Sequence, residues 1–254
     1  MKHLSIREYI PVLLYTIMGV LIGIIVGAVD AIFGRVLLGI TAFRGEHVTV
    51  LVPFLALAGV AILLLYQKIS PKSQKGMGLI FETGFEENEE IPKALISIIM
   101  VSTWLTHLFG GSAGREGVAV QIGAAVSHTI GKKFEVISEK TEKNGKIFLI
   151  MGMAAGFGGL FQTPLAATFF ALEVLVVGAL FYEAMLPAMS AAFTASFTSH
   201  LLGLEKFSVS FSDTFSVNPQ TIAKLILIAI VFGITGGAFS YFLAFAKEKL
   251  AKFI

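Results

Sequence analysis

Long uncharged apolar runs separated by short charged segments dominate the chain. Residues 9–29 form one such run, and at about 1.5 Å rise per residue a helix of this length crosses a hydrocarbon core of roughly 30 Å. Residues 48–66 form a second run, which ends in a loop that contains Lys68, Lys72 and Lys75. Because basic residues favour the cytoplasmic side, this pattern predicts two crossings and a cytoplasmic N-terminus.

Two later segments predict helices that are too short to cross a membrane. Residues 76–85 (GMGLIFETGF) precede an acidic stretch, and residues 118–130 form an apolar run of about 13 residues after GGSAGREG. A helix of that length is roughly 20 Å long. The bilayer core tolerates exposed backbone groups only where they line a protein-enclosed cavity. The predicted lengths therefore indicate a cavity or pore.

The rest of the chain predicts further apolar helices. One long stretch, residues 147–182, carries a single charge, Glu173, and is divided by Pro164 into two helices. The remaining predicted helices are residues 91–109, 183–204 and 221–253, with a polar loop over residues 205–220. About nine helices result. The predicted fold is therefore an all-α polytopic membrane protein.

Composition supports a membrane location and excludes several classes of function. The 254 residues are 56% hydrophobic and 14% charged, whereas soluble domains carry about 25% charged residues. The sequence has no cysteine, which excludes disulfides and thiolate metal sites. A net charge of +2 is too small to indicate a nucleic-acid partner. Nucleophile-elbow, HExxH and P-loop patterns are absent from the sequence, so we expect neither an enzyme nor a bound cofactor.

Two glycine-rich segments, KGMG and GREG, predict an anion site. Helix N-termini carry partial positive charge and unpaired N–H groups, and transporters with broken helices commonly aim these ends at the bound ion. Glycine allows the backbone amides to approach a ligand closely. The candidate anion-binding residues are Gly76, Met77, Gly78, Gly114, Arg115, Gly117 and Val118.

Glu116 lies inside the second of these segments. An acidic residue within a membrane segment is costly, and it marks a functional site by default. Since Glu116 stands where an anion would bind, it would compete for that site and carry a proton when it leaves. The alternative is that Glu116 simply pairs with Arg115 at a helix end.

The sequence around these residues resembles the CLC family of chloride channels and anion/proton antiporters. GREGVAVQIGAAV at residues 114–126 resembles the family's second signature, and MAAGFGGLFQTPLAATFFALEVL at residues 153–175 is similar to a later family stretch. The resemblance implies that Glu116 is the gating acid in the anion path. It also implies inverted repeats with broken and re-entrant helices, assembled as a homodimer with one pore per subunit.

Two departures from the usual family pattern resemble its fluoride-exporting branch, which exchanges fluoride against protons. Val118 replaces the proline that usually follows GREG, and Met77 replaces the serine of the GSGIP motif in chloride-handling members. Methionine cannot donate a hydroxyl hydrogen bond to chloride. The resemblance therefore favours fluoride/proton antiport gated by Glu116. The alternatives are a chloride channel, a chloride/proton exchanger, or a membrane half-subunit that does not transport.

Three further residues have roles that the sequence leaves open. Phe81 and Phe85 are four residues apart and share a helix face, so they either line the anion path or pack against the core or lipid. Many proton-coupled chloride members have two adjacent acids where this chain has Glu173 followed by Val174. Glu173 then either faces a cytoplasmic vestibule or pairs locally.

The resemblance also implies how the chain is organised. Residues 1–203 correspond to the first membrane repeat, residues 204–220 to a loop, and residues 221–254 to the first helix of a second repeat. The GxFxP signature of the second repeat is not found in this sequence. We therefore expect a multi-pass protein of the cell membrane that handles halide anions and protons. We expect it to form a homodimer or to need a missing second half, and not to transport anions by itself.

Overall fold

All regular structure in the described part of the chain is helical, as predicted. The computed structural model describes residues 6–85, 90–135, 142–175, 180–206 and 218–250. The chain divides into two units, Met1–Phe207 and Ser208–Ile254. The first unit contains α1 (Ile6–Glu46), α2 (Val48–Leu51), α3 (Leu55–Ile69), α4 (Met77–Phe85), α5 (Ala94–Leu108), α6 (Glu116–Glu135), α7 (Glu142–Phe161), α8 (Pro164–Val174) and α9 (Met185–Leu201). The second unit contains α10 (Pro219–Leu250).

Four helical stretches are long and apolar enough to cross a membrane. They are Ile10–Glu46, Val48–Ile69, Asn144–Phe161 and Pro219–Leu250. The remaining helices are shorter or more polar, and the nine-residue α4 is only about 14 Å long. The prediction that residues 76–85 form a helix too short to cross is therefore confirmed, and so is the multi-pass membrane fold.

The predicted break at Pro164 is also confirmed. Helix α7 ends at Phe161 and α8 begins at Pro164, which occupies its first turn, where a missing N–H group costs nothing. Between them Gln162 has a φ of 53°, a left-handed conformation that does not continue an α-helix. The Gln162 side chain donates a hydrogen bond to the carbonyl oxygen of Leu204.

Two predicted helix lengths are wrong, in each case because the helix continues past its apolar run. Helix α6 covers 20 residues rather than residues 118–130, so it is about 30 Å long and not a short helix. Its last turn carries Lys132 and Lys133, which interact favourably with the negative end of the helix dipole. Helix α1 continues past Val29 to Glu46, and in this added length Asp30 is buried and Arg35 donates to the carbonyl oxygen of Leu202 at 2.9 Å.

The second apolar run is not one continuous helix. A 3-10 turn at Val52–Phe54 separates α2 from α3, and Pro53 lies inside it. Proline removes a backbone donor and clashes with the preceding turn, so the α-helix cannot run through.

At the other end of the chain, α10 begins at Pro219 rather than residue 221. Residues 251–253 of the predicted last helix lie outside the described residues, as do the acidic residues 86–89 and most of the predicted loop, residues 207–217.

Helix α7 is the centre of the first unit and packs against α6, α9, α1 and α8. Helix α1 is apolar on two opposite faces. One face is buried, through Ile22, Val26, Phe33 and Leu37, and the opposite face exposes Leu13, Ile17, Leu21 and Ile24. Lipid tails are as apolar as these side chains, so the exposed face suits a bilayer.

Glycines allow the helix backbones to touch. On α1 they recur at every fourth residue, Gly19, Gly23 and Gly27, facing α9. A Cβ atom added to Gly23 would lie 2.6 Å from the carbonyl oxygen of Ala191. Between α6 and α7 the approach is closer, because a Cβ atom added to Gly123 would lie 2.0 Å from the carbonyl oxygen of Gly152. Any side chain at these positions would force the helices apart.

Replacing Gly123 with alanine tests this packing. We expect Gly123→Ala to lower the free energy of unfolding by about 1–3 kcal/mol, because main-chain atoms of α7 cannot move aside as a flexible side chain can. The matched control is Gly39→Ala on α1, where an added Cβ atom meets no atom within 4 Å. That change should stabilise the protein by up to about 1 kcal/mol, since alanine favours helix over glycine. Thermal unfolding in detergent measures both, and equal stability of the two variants would contradict the packing.

Candidate functional site

The N-terminal ends of α4 and α6 lie side by side in the first unit. The Cγ atom of Met77 lies 3.6 Å from the position that a Cβ atom on Gly117 would take. The Oε1 atom of Gln121 lies 3.9 Å from the equivalent position on Gly76. The structure therefore brings Gly76 and Met77, from the first glycine-rich segment, together with Gly117 from the second.

A tight turn positions the start of α4. The 3-10 turn Pro71–Lys75 ends at Gly76, whose φ of 56° and ψ of −127° favour glycine over any residue with a side chain. The Gly76 N–H group donates to the carbonyl oxygen of Ser73 at 3.2 Å, and its own carbonyl oxygen accepts from Leu79 N–H at 3.2 Å. Lys75 forms an ion pair with Glu82 on α4. The chain thus reverses at Gly76, and α4 begins directly after it.

These helix ends are electrostatically positive. The first-turn amides of an α-helix have no carbonyl partner within the helix, and the helix dipole adds a partial positive charge there. In α6 the first intrahelical acceptor is the Arg115 carbonyl oxygen, which takes the Ala119 N–H group at 3.0 Å. Each of these ends favours an anion near its free amides.

A cavity of about 520 Å³ opens beside the two helix ends. Its walls come from α3, the turn before α4, α5 and α6. They include Gly59, Ile62, Leu63, Tyr66, Ser73, Gln74, Gly76, Ile99 and Gln121. The cavity is large enough for an anion together with several water molecules, since a water molecule takes about 30 Å³ in the liquid.

Gln121 lines the cavity, although the sequence alone did not mark it as a candidate. Its side chain is only 6% exposed, and its Nε2 group donates to the carbonyl oxygen of Gly117 at 2.9 Å. Its Oε1 atom is buried and has no hydrogen-bond partner among the described residues. The signal that could have identified Gln121 is a polar residue inside an apolar run, one helical turn after Gly117.

Glu116 is the first residue of α6, and its side chain is exposed. The carboxylate folds back over Gly114, with Oε2 2.8 Å from the position that a Cβ atom on Gly114 would take. In the described part of the chain no ion pair joins Glu116 to Arg115, whose guanidinium group lies 5.8 Å from the centre of the Phe161 ring. The alternative of a pair with Arg115 is therefore not what this structure shows.

Among the predicted site residues in the described part of the chain, only Gly76 lines this cavity. Gly78 and Gly114 are exposed, and Val118 is buried in the core. Phe81 packs partly buried against the core, whereas Phe85 is 60% exposed. Glu173 is exposed near the C-terminal end of α8. Phe81 and Phe85 thus lie on the same helix, but Phe81 borders the core and Phe85 lies at the surface.

Comparisons with known proteins agree on one family. Residues 58–254 match the profile of a family described as voltage gated chloride channel. A chloride/fluoride channel protein of Pseudomonas syringae pv. tomato is 31% identical over 234 residues, which are 92% of this chain and 50% of that protein. An H⁺/Cl⁻ exchange transporter of Vibrio cholerae is 26% identical over 141 residues, which are 55% of this chain and 30% of that protein.

Two solved structures share the fold. A crystal structure of a CLC-type fluoride/proton antiporter matches with a TM-score of 0.81 and 47% identity, covering 93% of this chain and 58% of that chain. A slow cyanobacterial Cl⁻/H⁺ antiporter matches with a TM-score of 0.69 and 19% identity, covering 87% of this chain and 54% of that chain. The chain therefore spans about half the length of these relatives.

The turn at Gly76 can be tested with two neighbouring glycines. We expect Gly76→Ala to lower the free energy of unfolding by about 1–3 kcal/mol, because a side chain is strained at this backbone conformation. Gly78→Ala is the control, since an added Cβ atom there meets nothing within 4 Å, and it should leave stability unchanged or slightly raised. Chemical denaturation in detergent compares the two. If Gly76→Ala were as stable as Gly78→Ala, the proposed start of α4 would be wrong.

Proposed function

Since this chain belongs to the voltage-gated chloride channel family, the CLC family, we propose that it takes part in halide transport across the membrane, with fluoride exchanged against protons. The observation that carries the proposal is that the N-terminal ends of α4 and α6 lie side by side, through Met77 and Gly117, next to a cavity that Gly76 and Gln121 line. The relatives add support, since those reported above are named as channels, exchangers or antiporters of chloride or fluoride.

Fluoride is the favoured anion for a reason of local chemistry. The side chain that reaches from α4 to the first turn of α6 is the thioether of Met77, which is at most a weak acceptor and donates no hydrogen bond. Anion binding then relies on backbone amides, whose geometry suits a small ion that approaches closely. The antiporter with 47% identity is described as a fluoride/proton antiporter, which favours the same choice.

Glu116 is the proposed proton carrier and gate. Its carboxylate is exposed and belongs to the first residue of α6, next to Gly117, which lies beside Met77. A change in side-chain rotamer is sufficient to move such a group between solvent and the helix ends. When ionised it would occupy the anion position, and when protonated it would leave the position to the halide.

The wider assembly forms part of the same proposal. We expect the N-terminus to face the cytoplasm, and the pore to be completed by a second repeat and the functional unit to be a homodimer. Chloride/proton exchange is the second candidate, favoured by the 26% identical exchange transporter of Vibrio cholerae. The two candidates differ in the anion but share the helix ends and Glu116.

Glu116→Gln tests the proton role. In liposomes that contain this chain together with a supplied second repeat, we expect the variant to lose proton transport coupled to the halide, because an amide carries no proton. Glu205→Gln, at another exposed acid, should keep the coupling of the unmodified protein. Simultaneous recording of halide and proton flux measures both. Coupling that survives in Glu116→Gln would remove Glu116 from the mechanism.

Met77→Ser tests the anion preference. The unmodified protein should move fluoride faster than chloride, and the added hydroxyl should raise chloride flux about fivefold, the effect of one hydrogen bond worth about 1 kcal/mol. Met185→Ser on α9 changes the same residue type away from the cavity and should leave both fluxes unchanged. Chloride flux equal to fluoride flux in the unmodified protein would overturn the fluoride assignment and leave the chloride exchanger.

A further inference from the structure

Asp30 is a fully buried acidic residue in the middle of α1, in a stretch long and apolar enough to cross the membrane. Its carboxyl group lies against α7 at Gly159, where an added Cβ atom would be 2.4 Å from Oδ2. The same added atom would lie 3.3 Å from the Cβ atom of Ala195 on α9. The carboxyl group therefore occupies the junction of α1, α7 and α9, and only a glycine at position 159 leaves it room.

Neither carboxyl oxygen of Asp30 has a hydrogen-bond partner among the described residues. At the same junction Ser199 donates a hydrogen bond from its Oγ atom to the carbonyl oxygen of Gly159 at 2.6 Å, which holds α9 against α7. An ionised carboxylate without partners costs far more to bury than a neutral polar group. Acidic residues in membrane segments are rare and mark function by default.

The charged groups of α1 do not neutralise this carboxylate. Arg35 donates to the carbonyl oxygen of Leu202 at 2.9 Å, and Arg44 donates to that of His107 at 3.5 Å. Arg35 also lies five residues from Asp30, which places it on a different face of the helix.

The other helices that pack against α1 offer no partner either. On α7, Lys146 lies thirteen residues before Gly159, about 20 Å along the helix axis. On α9, His200 is exposed at the C-terminal end. On α5 and α6 the described titratable side chains are His107, Glu116, His128, Lys132 and Lys133. None of these groups forms an ion pair or hydrogen bond with Asp30 in the described part of the chain.

We propose that Asp30 is a second proton-binding site in the membrane interior, separate from Glu116, and that its carboxyl group holds a proton while α1, α7 and α9 are packed together. The space beside Oδ2 holds a proton but not a metal ion, because Gly159 of α7 packs closely against this oxygen. The described residues also hold no cluster of three or more acidic or histidine side chains able to bind a metal. Release of the proton then requires water or a cation to enter between the helices.

The composition of the chain makes this proposal directly measurable. The sequence contains only two aspartates, Asp30 and Asp213. In an Asp213→Asn variant grown with aspartate labelled with ¹³C at the side-chain carboxyl, the infrared signal of the label therefore comes from Asp30 alone. We expect the band of a protonated carboxylic acid in lipid bilayers at neutral pH, unchanged by sodium or potassium and still present when Glu116 is replaced by glutamine.

Two results would overturn the proposal. One is the band of an ionised carboxylate at neutral pH, and the other is a carboxyl band that follows the concentration of sodium or potassium. Both are read on the native Asp30, so neither depends on whether an Asp30 variant folds. Neither involves halide flux, so the outcome is independent of the proposed transport function.

A pair of glycine variants tests the placement of the carboxyl group. Gly159→Ala puts a methyl group 2.4 Å from the resting position of Oδ2, so the labelled band should shift. Gly158→Ala is the control, because its added Cβ atom faces Ala192 at 3.0–3.2 Å instead of Asp30, so the band should stay in place. A band that does not move in Gly159→Ala would contradict the proposed environment of Asp30.

Discussion

Direct contact between helix backbones is the constraint on which the first unit depends. In a bilayer the lipid tails offer an apolar side chain the same environment as a neighbouring helix, so association relies on close packing. Here Gly123 meets the carbonyl oxygen of Gly152, and the glycines of α1 meet carbonyl oxygens of α9. Without these contacts the helices would stand further apart, and neither the cavity nor the burial of Asp30 would keep its geometry.

The same contacts explain how polar groups survive in an apolar unit. Because α6 lies so close to α7, its first turn is held in place beside α4. The turn before α4 and the Gln121 side chain of α6 then border one cavity. The closeness of α1 to α7 has the opposite effect on Asp30, since it excludes water from the carboxyl group. Close packing thus produces one polar site that is open and one that is sealed.

The sequence predicted where helices form and break better than it predicted which residues of different helices come together. Pro164 marked the break between α7 and α8, and the length of residues 76–85 marked α4 as a short helix. The end of α6 was missed because hydrophobicity falls at Gly131, while helix formation continues through Lys132 and Lys133. Gln121 was missed because a single polar residue in an apolar run does not reveal its burial, and Asp30 because the predicted helix ended one residue before it. Only the fold shows that Gln121 faces Gly76, more than forty residues earlier.

The spacing of glycines on α1 also restricts how this unit can move. Gly19, Gly23 and Gly27 recur at every fourth residue, so a shift of four residues, roughly 6 Å, would place glycines opposite carbonyl oxygens again. A smaller translation would bring a bulkier residue against the main chain of α9. The close contacts between α1 and α9 therefore oppose sliding of one helix along the other by less than this distance. Conformational change within the first unit must then come from side-chain rotation or from helices outside this pair.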